Sequence, residues 1–213
     1  SDSNWGYRID VAAPGEGILS LLTKVPNFRI DQNLVVGRNY YLSAGTSDTA
    51  PFVSGLAALL LERFPQVDNK EIRARILAGT TQFNNDYVGF LGTRKINAYK
   101  SLTLERSPYF RIRDTKIAEK DGDGDGVVIS GETMQLVISL EGVWMDTAGI
   151  IATLSSDSPY VESIIKKNCF FGDITQLEIK DNSADPFLVK LKDVRFEAAL
   201  PFKIKIESGG FSQ

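Results

Sequence analysis

The chain has 213 residues, with 24 Lys and Arg against 27 Asp and Glu and an apolar share of 43%, which is ordinary for globular protein and long enough for two modest domains. Basic residues are neither in excess nor clustered, which argues against a nucleic-acid surface. The longest apolar run, Gly55 to Leu61, is far too short for a membrane span, and the N-terminus carries no charged-then-apolar signal pattern.

The sequence opens inside a strand pattern, SDSNWGYRIDVAAPG. Asp10–Ala13 reads as a short strand closed by a Pro14-Gly15 turn, and Ile9–Ala13 as a central strand. Residues 21–41 read as an irregular surface excursion. Pro51–Phe64 is predicted to be a helix, with Pro51 in its first turn and Pro65 as its stop. Its apolar residues run all the way round, which predicts burial on every side, and Gly55 would then admit another backbone. A second helix follows in DNKEIRARIL. Asp68 caps it, Glu71 stands three residues on, Ile72, Ile76 and Leu77 form the inner stripe, and Gly79 ends it. INAYKSL reads as a short third helix.

The pattern changes near residue 105. Met134, Leu136, Ile138 and Leu140 alternate with Thr133, Gln135, Val137 and Ser139, and GIIATLSS, FLVKLKD and PFKIKIES behave similarly. Short strands separated by turn clusters predict an all-β sandwich. No solenoid repeat is present. The single cysteine, Cys169, forms no internal disulfide and leaves the compartment undecided.

LSAGTSDTAPFVSGLAALLLERFP (42–65) sets a hydroxyl at the mouth of an apolar helix. First-turn amides there are unpaired, and the helix dipole favours negative charge, so an anion forming beside Ser47 is stabilised as an acyl-transfer oxyanion requires. A plain N-cap at Thr46 or Ser47 is the alternative.

Gly45-Thr46-Ser47 followed by Pro51, Val53 and Gly55 resembles the nucleophile segment of the subtilisin-like serine proteases. IDVAAPGEGILS (9–20) is similar to the strand and turn before that serine, and RKINAYKSL (94–102) to the short closing helix. The resemblance covers about the first hundred residues. It implies that Ser47 is the nucleophile of a serine endopeptidase with protein or peptide substrates. Family triads run Asp, His, Ser along the chain. This sequence has no histidine, so the resemblance implies that the triad Asp and His lie on an N-terminal part of the peptidase domain outside it. Asp10 belongs to the DVAAPG strand and is not the triad aspartate. Asp48 stands where the family is usually small or apolar, and it opposes a developing oxyanion unless it is paired or turned away. Phe52 stands where the family commonly has histidine. The sedolisins, which use Glu and Asp with a serine in a similar turn, are a related alternative. A non-catalytic pseudoprotease, serving in adhesion or as a scaffold, is another.

DGDGDGVVISGE (121–132) carries Asp at loop positions 1, 3 and 5, Gly at 6, an aliphatic at 8 and Glu at 12. That is the spacing of an EF-hand calcium loop. Asp121, Asp123 and Asp125 would bind by side chains, Val127 by its carbonyl and Glu132 as a bidentate carboxylate. The flanks are strand-like, so the reading is an EF-hand-like Ca²⁺ loop in a β domain. The alternative is a solvated acidic turn. Taken together, these readings give an α/β, subtilisin-like, partial three-layer domain over 1–104, followed by an all-β sandwich over 105–213 with a calcium loop, in a secreted or cell-surface protein.

Overall fold

The computed structural model describes residues 9–23, 31–82, 94–195 and 200–213. The chain divides into two compact units, Ser1–Leu104 and Glu105–Gln213. No helix among the described residues is long and apolar enough to cross a membrane.

The first unit contains a small antiparallel sheet where the sequence suggests an irregular excursion. Strand β1 (Ile18–Leu21) pairs with β3 (Tyr40–Ser43), and β2 (Val35–Val36) lies on the other side of β3, giving the order β1-β3-β2. Asp31 caps a short 3-10 turn over Gln32–Leu34 by accepting the Asn33 N–H at 2.9 Å. The expected central strand at Ile9–Ala13 is reduced to one parallel bridge between Ala12 and Lys95. A strand persists only where main chain flanks it. Among the described residues the flank at Ala12 is 94–96, with Ala12 N–H on the Arg94 carbonyl and Ile96 N–H on the Ala12 carbonyl. Among the described residues no parallel sheet lies between helix layers.

Helix α1 (Thr46–Arg63) starts five residues before the expected Pro51. Pro51 is therefore in the second turn. It has no N–H to give, so the carbonyl of Ser47 lacks its i+4 partner. Pro65 does end the run, and the Phe64 N–H closes on the Leu60 carbonyl at 2.8 Å. Only Leu56 and Leu60 are fully buried. Phe52, Leu59 and Leu61 are 43%, 48% and 50% exposed, so the helix buries one face rather than all of them. No atom comes within 4 Å of where a Cβ on Gly55 would stand, so no backbone approaches there among the described residues.

Helix α2 (Asn69–Ala78) follows its sequence signals. Asp68 accepts the Glu71 N–H at 2.9 Å, Gly79 forms the C-cap, and Ile72, Ile76 and Leu77 are buried. Helix α3 (Ala98–Thr103) is capped by Asn97. A Cβ on Gly79 would stand 2.3 Å from the Ser101 hydroxyl and 2.7 Å from its Cα, so glycine is what lets α3 close on the end of α2. Buried Arg75 ties the three helices together. It pairs with Glu71 at 2.9 Å, donates to the Leu104 carbonyl at 3.0 Å, and lies 3.9 Å from the centre of the Phe64 ring. A guanidinium provides all three contacts because its planar fork and its weakly hydrated face act at once.

The second unit is two antiparallel sheets. The first has the order β4 (Phe110–Asp121), β5 (Thr133–Gly142), β10 (Phe187–Leu191), β7 (Val161–Lys166), with β9 (Ile179–Asp181) also on β5. The second runs β12 (Phe211–Ser212), β11 (Lys203–Ser208), β6 (Thr147–Ser155), β8 (Asn168–Ile174). Alternate residues of β5, β6, β8 and β10 bury themselves in one shared core with Phe110 and Ile206. The four expected inward residues of β5, Met134, Leu136, Ile138 and Leu140, all belong to it.

Strands β9 and β10 pair with opposite halves of β5, leaving a gap in the ladder. Asn182, 3% exposed, fills it. Its Oδ1 accepts the Ile138 N–H at 2.8 Å, and its Nδ2 donates to the Leu136 carbonyl at 3.5 Å and the Cys169 sulfur at 3.3 Å. A side-chain amide thus stands in for a strand peptide. Asn182→Ala leaves the Ile138 N–H buried and unmatched, so it should cost about 1–3 kcal/mol. Urea unfolding of the full chain measures this, and an unchanged midpoint would refute it.

Candidate active site and metal loop

Ser47 is the second residue of α1 and its side chain is exposed. Two glycines place it. The Gly45 N–H donates to the Gly15 carbonyl at 2.8 Å, fastening the start of α1 to the turn after DVAAP. A Cβ on Gly15 would stand 2.5 Å from Thr49 Cγ2 and 3.1 Å from the Gly45 oxygen, so only glycine permits that approach. The Asp48 N–H closes on the Gly45 carbonyl at 3.1 Å, and the Thr49 hydroxyl on the Thr46 carbonyl at 2.6 Å. The first-turn amide of Ser47 has no i−4 carbonyl within the helix and is of the kind that binds an anion.

Asp48 is partly buried, and its Oδ2 accepts the Ser43 hydroxyl at 2.9 Å. The carboxylate is therefore held back toward the end of β3. Asp10 lies 3.9 Å from Arg73. Cys169 offers no second nucleophile. Burial pushes its thiol up, against the weaker opposing pull of the Asn182 amide and Lys166, and its sulfur donates to the Asp185 carbonyl at 2.9 Å.

In the acidic loop, Gly124 and Gly126 have φ of +84° and +81°, which side-chain-bearing residues rarely adopt. These turns bring carboxylate oxygens of Glu119, Asp123 and Asp125 within 4.8 Å of one another. Glu119 also accepts the N–H groups of Gly124 and Gly126 at 2.8 and 3.0 Å. Asp123 and Asp125 each accept the N–H two residues on, at 3.1 and 2.7 Å. Glu132, buried at the foot of the loop, accepts from Asp123 N–H at 3.4 Å and Ile129 N–H at 3.0 Å. Val128, at loop position 8, packs against the core.

Of the five expected ligands, the structure gathers Asp123 and Asp125. Asp121 ends β4 opposite Thr133, Val127 faces outward, and Glu132 lies outside the group of three. Glu119, which lies outside the twelve-residue loop spacing, is the third acid of the group. Its signal was an acid at every second position, 119, 121, 123 and 125. An all-oxygen donor set of this kind suits a hard divalent cation.

Residues 1–101 match the model of the subtilase family. Within that span the chain is similar to serine protease AprX of Bacillus subtilis, 32% identical over 96 residues, which cover 44% of this chain and 21% of that protein. It is also similar to mycosin-1 of Mycobacterium tuberculosis, 38% identical over 110 residues, 51% of this chain and 24% of that protein. A third relative is the extracellular basic protease of Dichelobacter nodosus, 33% identical over 100 residues, 45% of this chain and 16% of that protein. The chain thus spans less than a quarter of the length of these relatives.

Proposed function

We propose that this chain is the serine-bearing part of a secreted or cell-surface subtilisin-like endopeptidase, followed by a calcium-stabilised β-sandwich domain. The observation that carries the reading is Ser47, exposed in the first turn of α1 behind a glycine-held turn, within the stretch that matches the subtilases. In this reading the triad Asp and His lie on an N-terminal part of the peptidase domain outside this sequence, which acts as its partner. This agrees with the small share of the relatives' length that the chain matches. The histidine takes the Ser47 proton as Oγ attacks a peptide carbonyl. The Ser47 N–H stabilises the oxyanion, the leaving amine takes the proton back, and water then clears the acyl-enzyme. Pairing with Ser43 holds the extra carboxylate of Asp48 toward the end of β3. A fluorophosphonate probe tests this. It should label Ser47 in the longer, histidine-containing polypeptide and fail with Ser47→Ala. A folded longer polypeptide that resists labelling would favour the non-catalytic scaffold.

Calcium belongs to the same proposal. Asp121, Asp123, Asp125, the Val127 carbonyl and Glu132 supply ligands by spacing, and Glu119 joins them by geometry. The cation would neutralise carboxylates that otherwise repel one another and would fix the turn between β4 and β5.

A further inference from the structure

Within the second unit, β4 is the outer strand of its sheet, with β5 on one side and no strand on the other among the described residues. The direction of its main-chain groups follows from β5. The Ile138 N–H and the Leu136 carbonyl both meet the Asn182 amide, on the side of β5 away from β4. Antiparallel residues directly opposite one another either exchange both main-chain bonds or turn both away. Thr115 and Ile117, opposite Ile138 and Leu136, therefore turn theirs to the open edge, and Glu119 follows by the period of two. The Thr115 N–H agrees, since it is taken by the neighbouring carboxylate, Asp114 Oδ1, at 3.0 Å. Near the start of β4 the edge is closed. There the Gln213 amide accepts the Phe110 N–H at 2.9 Å and donates to the Phe110 carbonyl at 2.7 Å. From Asp114 to Glu119 the strand runs in unbroken register between two bulges, and Ile117 is 59% exposed.

We propose that this edge binds a second copy of the chain, β4 pairing antiparallel with β4 about a two-fold axis at Ile117. The strand is self-complementary in that register. Ile117 exchanges both main-chain bonds with its own counterpart, and Thr115 does so with Glu119 of the second copy. The two isoleucines, exposed in the single chain, cover one another. Asp114 falls opposite Lys120 of the second copy, twice by symmetry. Both are exposed, and cross-strand pairs of opposite charge are favourable. The Thr115 N–H trades its local Asp114 acceptor for a carbonyl, which releases that carboxylate to Lys120. Lysines often guard an edge of this kind, but Lys116 is drawn aside to Asp181. The Asp181 carboxyl is held low first by the Ser183 hydroxyl and N–H and then by Lys116. The interface goes beyond the peptidase reading and does not depend on it, since no residue of the first unit takes part.

The test is sedimentation equilibrium of the full chain over a concentration series reaching about 1 mM, because an interface of one strand pair is small and its dimer weak. The parent should pass reversibly from monomer to dimer. Ile117→Pro removes an N–H that β5 does not use, a place where a strand tolerates proline, so the variant should fold and remain monomeric. Asp114→Lys and Lys120→Asp should each weaken association at least tenfold. Combined in one chain they should restore it, which a loss of fold could not do, so the charge swap decides even where Ile117→Pro fails to fold. A parent that stays monomeric throughout, a folded Ile117→Pro chain that still dimerises, or a double swap no tighter than either single one would each overturn the proposal.

Discussion

The 213-residue chain by itself is expected to hydrolyse casein no faster than buffer, although Ser47 stands exposed at the start of α1. A serine hydroxyl is a poor nucleophile until a neighbouring base takes its proton, and this sequence contains no histidine. In subtilisin itself, removing the histidine alone lowers kcat by on the order of 10⁶, about as much as removing the whole triad. A loss of that size puts the chain below any casein assay. Ser47→Ala should therefore be indistinguishable from the parent chain. Turnover that disappears in Ser47→Ala would mean a base within these residues and would sink the expectation. Under the proposed function, co-expression with an N-terminal peptidase segment that carries the triad Asp and His should give turnover that Ser47→Ala removes.

Calcium is expected to raise the melting temperature of the second unit in the full chain. Glu119, Asp123 and Asp125 hold carboxylate oxygens within 4.8 Å of one another, like charges whose mutual repulsion a bound cation would offset. A cation that binds the folded state alone adds RT ln(1 + [Ca²⁺]/Kd), about 2.7 kcal/mol at a hundredfold excess over Kd. For a unit of this size that is roughly a 10 °C rise. Calorimetry in millimolar calcium and in chelator measures it. Glu119→Ala or Asp123→Ala should remove most of the difference. Asp157→Ala should not, because Asp157 pairs with Lys203 on the exposed surface far along the sequence. Magnesium should do less, since a flexible loop of many oxygens fits calcium better than a tight octahedron. Transitions indifferent to calcium and chelator alike would leave the run a solvated turn.

The elements that could be read from the sequence are those whose local chemistry and burial agree. Asp68 caps α2 and Ile72 and Ile76 face its core, as their spacing requires. β5 alternates because one of its faces is wholly buried. The hairpin of β1 and β3 was hidden because Ser20 and both leucines of Ile18–Leu21 are exposed, so no period of two marks it. The sequence alone points to Pro51 as the first residue of α1, whereas the helix tolerates it a turn further in. Strand β8 shows no clean period of two in the sequence, because Gly172, at a φ of +71°, interrupts its alternation. Strand β9 is only three residues long and owes its place to Asn182 just beyond it. At the candidate site, Ser47 and the loop aspartates were legible as motifs. The Ser43–Asp48 pair and the inclusion of Glu119 depend on how strands end, which no local spacing records.

The contact between Gly15 and Thr49 constrains how this segment can drift. A methyl at position 15 would strike Thr49 Cγ2 at 2.5 Å and crowd the Gly45 oxygen at 3.1 Å. Serine at 49 lacks that methyl yet keeps the hydroxyl that reaches the Thr46 carbonyl. Positions 15 and 49 should therefore covary: alanine at 15 is better tolerated once 49 has become serine or smaller, although the crowding against the Gly45 oxygen remains. A double-mutant cycle makes the history visible in one protein. Gly15→Ala should be strongly destabilising in the parent chain and milder on a Thr49→Ser background, with a coupling of about 0.5–3 kcal/mol. The start of the serine helix is thus an epistatic pair, two sites whose substitutions depend on one another, although 34 positions separate them along the chain.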